Sequence, residues 1–156
     1  ERLVDWDSYF YPLDAVLDWN RGYGRAGFLQ FQCALPQHAA REGMHALLGA
    51  IARSGEASVL SVLKRFGPQE GRFSFPMAGY TLALDFPVND RSLALMNTLD
   101  RITLDHGGRF YLAKDARMAR AVLEAADDRV AEFRAMRAAT GAAGRFVSVQ
   151  SERLGL

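Results

Sequence analysis

Between residues 28 and 112 the hydrophobic period changes from two to about 3.6 and back, twice over, and few folds accommodate that order. In Gly27-Phe-Leu-Gln-Phe-Gln-Cys-Ala-Leu-Pro36, Phe31, Cys33 and Leu35 point one way and Gln30, Gln32 and Ala34 the other, which predicts a strand over 28–35. From Gln37 to Ser54 the apolar residues Ala40, Met44, Leu47, Leu48 and Ile51 recur at spacings of three and four, and Gly55 stands where a C-terminal cap belongs. A second strand is expected over Ala57 to Phe66, which is rich in Val and Leu and ends at Gly67-Pro68. Gly79 to Pro87 alternates again and closes on proline. Asn89 or Asp90 caps a second helix that carries the stripe Leu95, Met96, Leu99, Ile102 and Thr103. Gly107-Gly108 ends that helix before a short strand, Arg109 to Leu112. The order βαββαβ predicts an α+β fold of the ferredoxin-like kind, one antiparallel sheet with helices 37–54 and 90–106 on the same face.

The flanks read differently. Residues 1–27 form an aromatic-rich leading segment broken by Pro12, Gly22, Gly24 and Gly27, with one short helix expected over Leu13 to Trp19, and it is expected to lie on the core. Residues 113–156 form a C-terminal helical segment. Helices over 115–126 and 128–139 present Met118, Val122, Leu123, Val130, Phe133 and Met136, and the tail from Phe146 is mixed.

A chain of 156 residues that is 49% hydrophobic and 24% charged supports one core and lies far from disordered compositions. Its formal charge of +1 leaves no global field to draw it onto nucleic acid or anionic lipid. Arg117, Arg120, Arg129, Arg134 and Arg137 gather along the C-terminal helices, but Glu124, Asp127, Asp128 and Glu132 interleave with them, so the cluster reads as a solvated, self-compensated face. Cys33 is the only cysteine, which excludes an internal disulfide and any Cys-pair metal site and fits a reducing, cytoplasmic setting. No apolar run reaches the roughly 20 residues of a transmembrane segment. The chain opens at Glu1-Arg2-Leu3 without methionine and reads as a fragment or a processed product.

Few residues are placed for chemistry. Gly22-Tyr-Gly24-Arg-Ala-Gly27 has the spacing of a dinucleotide fingerprint but lacks the preceding strand and following helix that such a cradle needs, so it reads as a turn-rich connector. His38, His45 and His106 have no acidic or Cys partner at metal-ligand spacing, so no metal is expected. Ser58, Ser61 and Ser148 lack a nucleophile elbow. The string Gly107-Gly-Arg-Phe-Tyr-Leu-Ala-Lys-Asp115 places a lysine at a strand end, where it is either a surface residue or a cation aimed into a cleft. Lys64 sits among apolar neighbours, with Val62 and Phe66 on its face, and is either an edge-strand guard or a pocket residue. Gln30 and Gln32 are either solvent-facing or a pair of amides aimed inward.

Taken in order, Tyr11-Pro-Leu-Asp14, Trp19-Asn-Arg21, Tyr23-Gly24, Gly27-Phe-Leu-Gln-Phe-Gln32, Lys64-Arg-Phe-Gly-Pro68, Ser74-Phe-Pro76, Asp85-Phe-Pro87 and Gly107 to Asp115 resemble one family. They are similar to the C-terminal portion of the FAD-dependent decaprenylphosphoryl-ribose 2′-oxidase group, within the vanillyl-alcohol-oxidase type of flavoprotein. The resemblance implies a substrate domain over 28–112, whose C-terminal segment returns toward an N-terminal FAD-binding domain that has no counterpart in this chain. It implies that Lys114 approaches both flavin and substrate with Tyr111 beside it, and that Gln32, Lys64 and Phe66 line the substrate pocket. Tyr80 joins that pocket set; Tyr80, Thr81 and Ala83 stand where mycobacterial members carry Trp, Asn and Cys. The implied chemistry is hydride transfer from a sugar or related alcohol to flavin.

The expectation is therefore the substrate-binding part of an FAD-linked oxidoreductase, not active alone. Its partners would be the FAD-binding domain and a sugar or alcohol, the latter of the polyprenyl-phosphate kind. The alternative, from a different class, is a free-standing ferredoxin-like binding or regulatory module that assembles through its sheet, as a homodimer, without redox chemistry.

Overall fold

The computed structural model describes residues 2–12 and 14–156, and the side chains of all of these except Asn20. In chain order its elements are α1 (Trp6–Phe10), a 3₁₀ turn at Trp19–Tyr23, β1 (Phe28–Pro36), α2 (Ala40–Ser54), β2 (Ser61–Phe66), β3 (Gly79–Pro87), α3 (Asp90–Asp105) and β4 (Arg109–Phe110). A 3₁₀ turn at Leu112–Lys114, α4 (Arg120–Ala126), α5 (Val130–Ala139), α6 (Ala142–Arg145) and α7 (Val149–Leu154) complete the chain. The fold is α+β, and its four strands are all antiparallel in the order β2-β3-β1-β4. Each helical crossover leaves room for one strand, which the other crossover fills: β3 lies between β1 and β2, and β1 between β3 and β4.

Alternation sorts the sheet into two faces. The β1–β3 register pairs Phe31 with Leu84 and Cys33 with Leu82, and Phe110 of β4 pairs with Cys33. These side chains form the core with Leu47 of α2 and Met96 and Leu99 of α3, all three fully buried. Both long helices therefore cover the same face, and they also pack on each other. Burial in this core pushes the Cys33 thiol up to about 12. Gly55, at φ 72°, closes α2 in the left-handed conformation expected of that glycine. Gly108 is required for a different reason: a Cβ there would lie 2.7 Å from the Ala34 carbonyl oxygen, where β4 comes against β1.

Several boundaries differ from expectation, each for a local reason. β2 begins at Ser61 rather than Ala57 because Ser58 Oγ accepts the Asp85 N–H at 2.9 Å, so a side chain replaces the ladder there. β4 stops at Phe110; the Tyr111 N–H still reaches Gln32 O at 2.9 Å, but the Lys114 N–H then turns back onto Tyr111 O. α4 begins at Arg120 rather than 115 because the Asp115 carboxylate accepts the N–H groups of Arg117 and Met118 at 3.1 and 2.8 Å, which holds a turn. Of the helix expected over Leu13–Trp19, Leu13 lies outside the described residues and 14–18 form turns.

The leading segment does not lie on the core as expected. Trp6, Tyr9, Phe10 and Leu17 are between 66 and 85% exposed. Its end is anchored through Tyr23, which stacks on Phe28 at 4.5 Å and donates to the buried Asp85 carboxylate at 3.2 Å, with Trp19 also against Phe28 at 5.8 Å. Burial and that neighbouring negative charge raise the Tyr23 phenol above its ordinary value. The arginine cluster is self-compensated, but only part of it is a solvated face: Arg120 stays exposed beside Glu124, whereas the others are drawn into the structure. Arg117 grips Asp100 at 2.6 and 2.8 Å, Arg129 pairs with Asp127 and holds Ser74 O, and Arg134 holds the carbonyls of Leu154 and Gly155. Among the described residues, no helix is long and apolar enough to cross a membrane.

Candidate functional site

The face of the sheet away from α2 and α3 carries the even-numbered positions of β1: Gln30, Gln32 and Ala34. These pair with Asp85, Ala83 and Thr81. In β2, Lys64 lies opposite Thr81 and Phe66 opposite Gly79, so both occupy this same face. A layer so rich in amides and hydroxyls is stable only if its members satisfy one another. Gln30 Nε2 donates to Asp85 at 2.9 Å, and Gln32 Nε2 donates to Thr81 Oγ1 at 2.9 Å, with both residues of the second pair buried. The donated amide leaves the Gln32 carbonyl oxygen as the acceptor that this residue offers a ligand.

The loop from Gly67 to Ala78 is folded over this face by aromatic contacts. Phe75 stacks on Tyr111 at 4.7 Å and meets Phe66 edge-on at 5.9 Å, while Phe73 stacks on Phe133 of α5 at 4.3 Å. Arg109 and Arg129 both donate to Ser74 O, at 3.2 and 2.9 Å, and fix the loop backbone. Burial and the nearby Arg129 charge lower the Arg109 guanidinium from its ordinary value.

Between loop and sheet lies a hollow of about 510 Å³ lined by Gln32, Lys64, Phe66, Tyr111 and Lys114 together with loop residues 73–76. Five of the six residues singled out from the sequence thus meet at one place. Tyr80 does not: its register partner is Leu35, so it faces the helix side and lines a separate hollow with Met44 and Leu63. Sequence reasoning missed Phe73 and did not assign Ser74, Phe75 or Pro76 to the lining. It also missed a simple signal: of nineteen basic residues only two are lysines, Lys64 and Lys114, and both line this hollow.

Among the described residues no Asp or Glu lines the hollow, and neither lysine takes part in an ion pair. Two ammonium groups without a facing carboxylate form a site for negative charge. The aromatic walls suit an apolar or ring-shaped body attached to that charge.

No family model matches the chain. It is similar to a decaprenylphosphoryl-beta-D-ribose oxidase of Mycolicibacterium smegmatis, with 38% identity over 156 residues, which is 99% of this chain and 34% of that protein. It is also similar to an uncharacterized protein in the mprA 5′ region of Streptomyces coelicolor, with 35% identity over 144 residues, 90% of this chain and 39% of that protein. The chain therefore spans a little over a third of the length of these curated relatives.

Proposed function

We propose that this chain is the substrate-binding part of an FAD-linked oxidoreductase that oxidises the carbinol of a sugar carried on a polyprenyl phosphate. The observation that carries the reading is the convergence of the sequence's two lysines on one aromatic-walled hollow that, among the described residues, no carboxylate lines. The likeness to a decaprenylphosphoryl-ribose oxidase along almost the whole chain supports the substrate class.

The donor set fits flavin at its reactive end only. Lys114 and Tyr111 would meet it there, since a cation and a phenol suit a ring system that gains negative charge. The Gly22–Gly27 string runs from the last residues of a 3₁₀ turn up to β1, so it is not a strand-to-helix phosphate cradle. Flavin, when bound, accepts the hydride that the carbinol carbon loses. The residues of this chain bind and orient. Lys64 holds the phosphate, Gln32 accepts a hydrogen bond from a sugar hydroxyl through the carbonyl that Thr81 leaves free, and Phe66 and Phe75 shield the ring from water. Lys114 stabilises charge that develops as the hydroxyl proton is released to solvent and the ketone forms.

Anaerobic mixing of the flavin-loaded parent protein with a polyprenyl-phosphate pentose tests this reading. Bleaching of the oxidised flavin absorption at a rate that rises with substrate supports it, and an unaltered spectrum overturns it.

A further inference from the structure

The 3₁₀ turn that carries Lys114 is too short to hold a fixed direction by itself, since it contains only the Lys114 N–H to Tyr111 O and Asp115 N–H to Leu112 O hydrogen bonds. It is held instead from α7, at the far end of the chain. Gln150 Nε2 donates to Leu112 O at 2.5 Å and to Asp115 O at 3.0 Å, bridging the two ends of the turn. One helical turn further along α7, Arg153 donates to the Asp115 carboxylate at 2.8 Å and also to Met118 O. The same carboxylate accepts the N–H groups of Arg117 and Met118.

α7 is in turn fixed from three sides. Leu154 is fully buried in the core. Arg134 of α5 donates to Leu154 O and Gly155 O. Ser148 and Ser151 form a reciprocal capping box at the other end. Gln150 and Arg153 lie outside the residues that line the hollow, so these contacts bear on a ligand only through the turn.

We infer that Gln150 and Arg153 are positioning residues that hold the Lys114 turn, so that α7 is a clamp on the lysine rather than packing at the chain's end. This inference rests on the role proposed above for Lys114. The clamp fixes the Lys114 backbone between β4 and α7, and the ammonium then enters the hollow from one direction. A misplacement of about 1 Å at a reacting group costs up to about 100-fold in rate, so loosening the clamp acts on chemistry before it acts on folding.

Two measurements on the flavin-loaded parent protein decide it, using Gln150→Met, Arg153→Met and, as the conservative control, Arg153→Lys. In the Met variants amide hydrogen exchange at Lys114 and Asp115 is expected to accelerate by about tenfold or more, while the β1–β3 ladder exchanges as before. Flavin reduction by substrate is expected to slow by about 10- to 100-fold with less than about a threefold change in half-saturation, and Arg153→Lys recovers most of that rate. Unchanged exchange at the turn, or exchange accelerated equally throughout the chain, overturns the clamp. Local acceleration without slower reduction, in a protein that Lys114→Ala does disable, overturns the positioning role. If Lys114→Ala itself leaves reduction unaltered, the catalytic reading of that lysine fails, and exchange at the turn alone decides the clamp.

Discussion

The ring of Phe75 stacks on the ring of Tyr111 at a centroid separation of 4.7 Å and an interplanar angle of 25°, joining the β2–β3 loop to the strand end that leads into the lysine turn. Because Phe75 also meets Phe66, it ties three walls of the hollow together. Phe75→Ala is expected to lower stability by about 1–3 kcal/mol, from the lost stack and partial burial. Chemical denaturation measures that loss. Substrate half-saturation should rise in the same variant as the loop lifts from the sheet, and a variant with wild-type half-saturation would detach the loop from the site.

Lys64 is exposed on an edge strand, so its replacement tests binding with little interference from folding. Lys64→Met should alter stability by less than about 0.5 kcal/mol. It should weaken binding of a phosphate-bearing substrate about tenfold and flatten the dependence of half-saturation on salt, because the lost contribution is a screened charge interaction. Lys64→Arg should keep most of the affinity. Equal salt dependence in the Met variant and the wild type would return Lys64 to the role of edge guard.

Asp115 links the clamp to pH. Burial alone would raise its carboxyl, but the amides of Met118 and Arg117 and the Arg153 guanidinium outweigh burial and hold it below the ordinary aspartate range. A depressed carboxyl contributes stability that is complete above the unfolded value, about pH 4, and is lost as pH falls toward the folded value. Asp115→Asn should therefore be less stable than the wild type at neutral pH, and the difference should shrink as pH falls below about 4. Urea unfolding of both proteins at several pH values checks the sign. A difference that stays constant would mean that the carboxylate's charge does not hold the turn.

Much of this fold was legible because alternation and helical period are set by side-chain direction alone. The strands at Phe28–Pro36 and Gly79–Pro87 and the two long helices fall within a few residues of their expected bounds. The same parity argues against Tyr80 as a pocket residue, since it shares a face with Leu82 and Leu84. The resemblance places Tyr80 in the set by position along the chain, which is blind to side-chain direction. Loop residues 73–76 were not legible as lining because aromatic partners far along the chain hold them, Phe133 and Tyr111 among them. α7 left a readable trace in the Ser148 and Ser151 spacing and in Gly155, which takes the left-handed conformation after it. The exposed leading segment defeated hydrophobicity as a guide, because aromatic content does not say which surface an aromatic side chain will meet.

The function proposed above stands or falls on Lys114, which lines this hollow and is proposed there to stabilise charge during oxidation. Stopped-flow measurement of flavin reduction in the parent protein, comparing wild type with Lys114→Ala at saturating substrate, tests it most directly. Removing one preorganised charged partner should slow reduction by about 10²–10³-fold, with unfolding free energy changed by less than about 0.5 kcal/mol. Reduction in the variant at the wild-type rate would contradict the account and leave Lys114 as a surface cation.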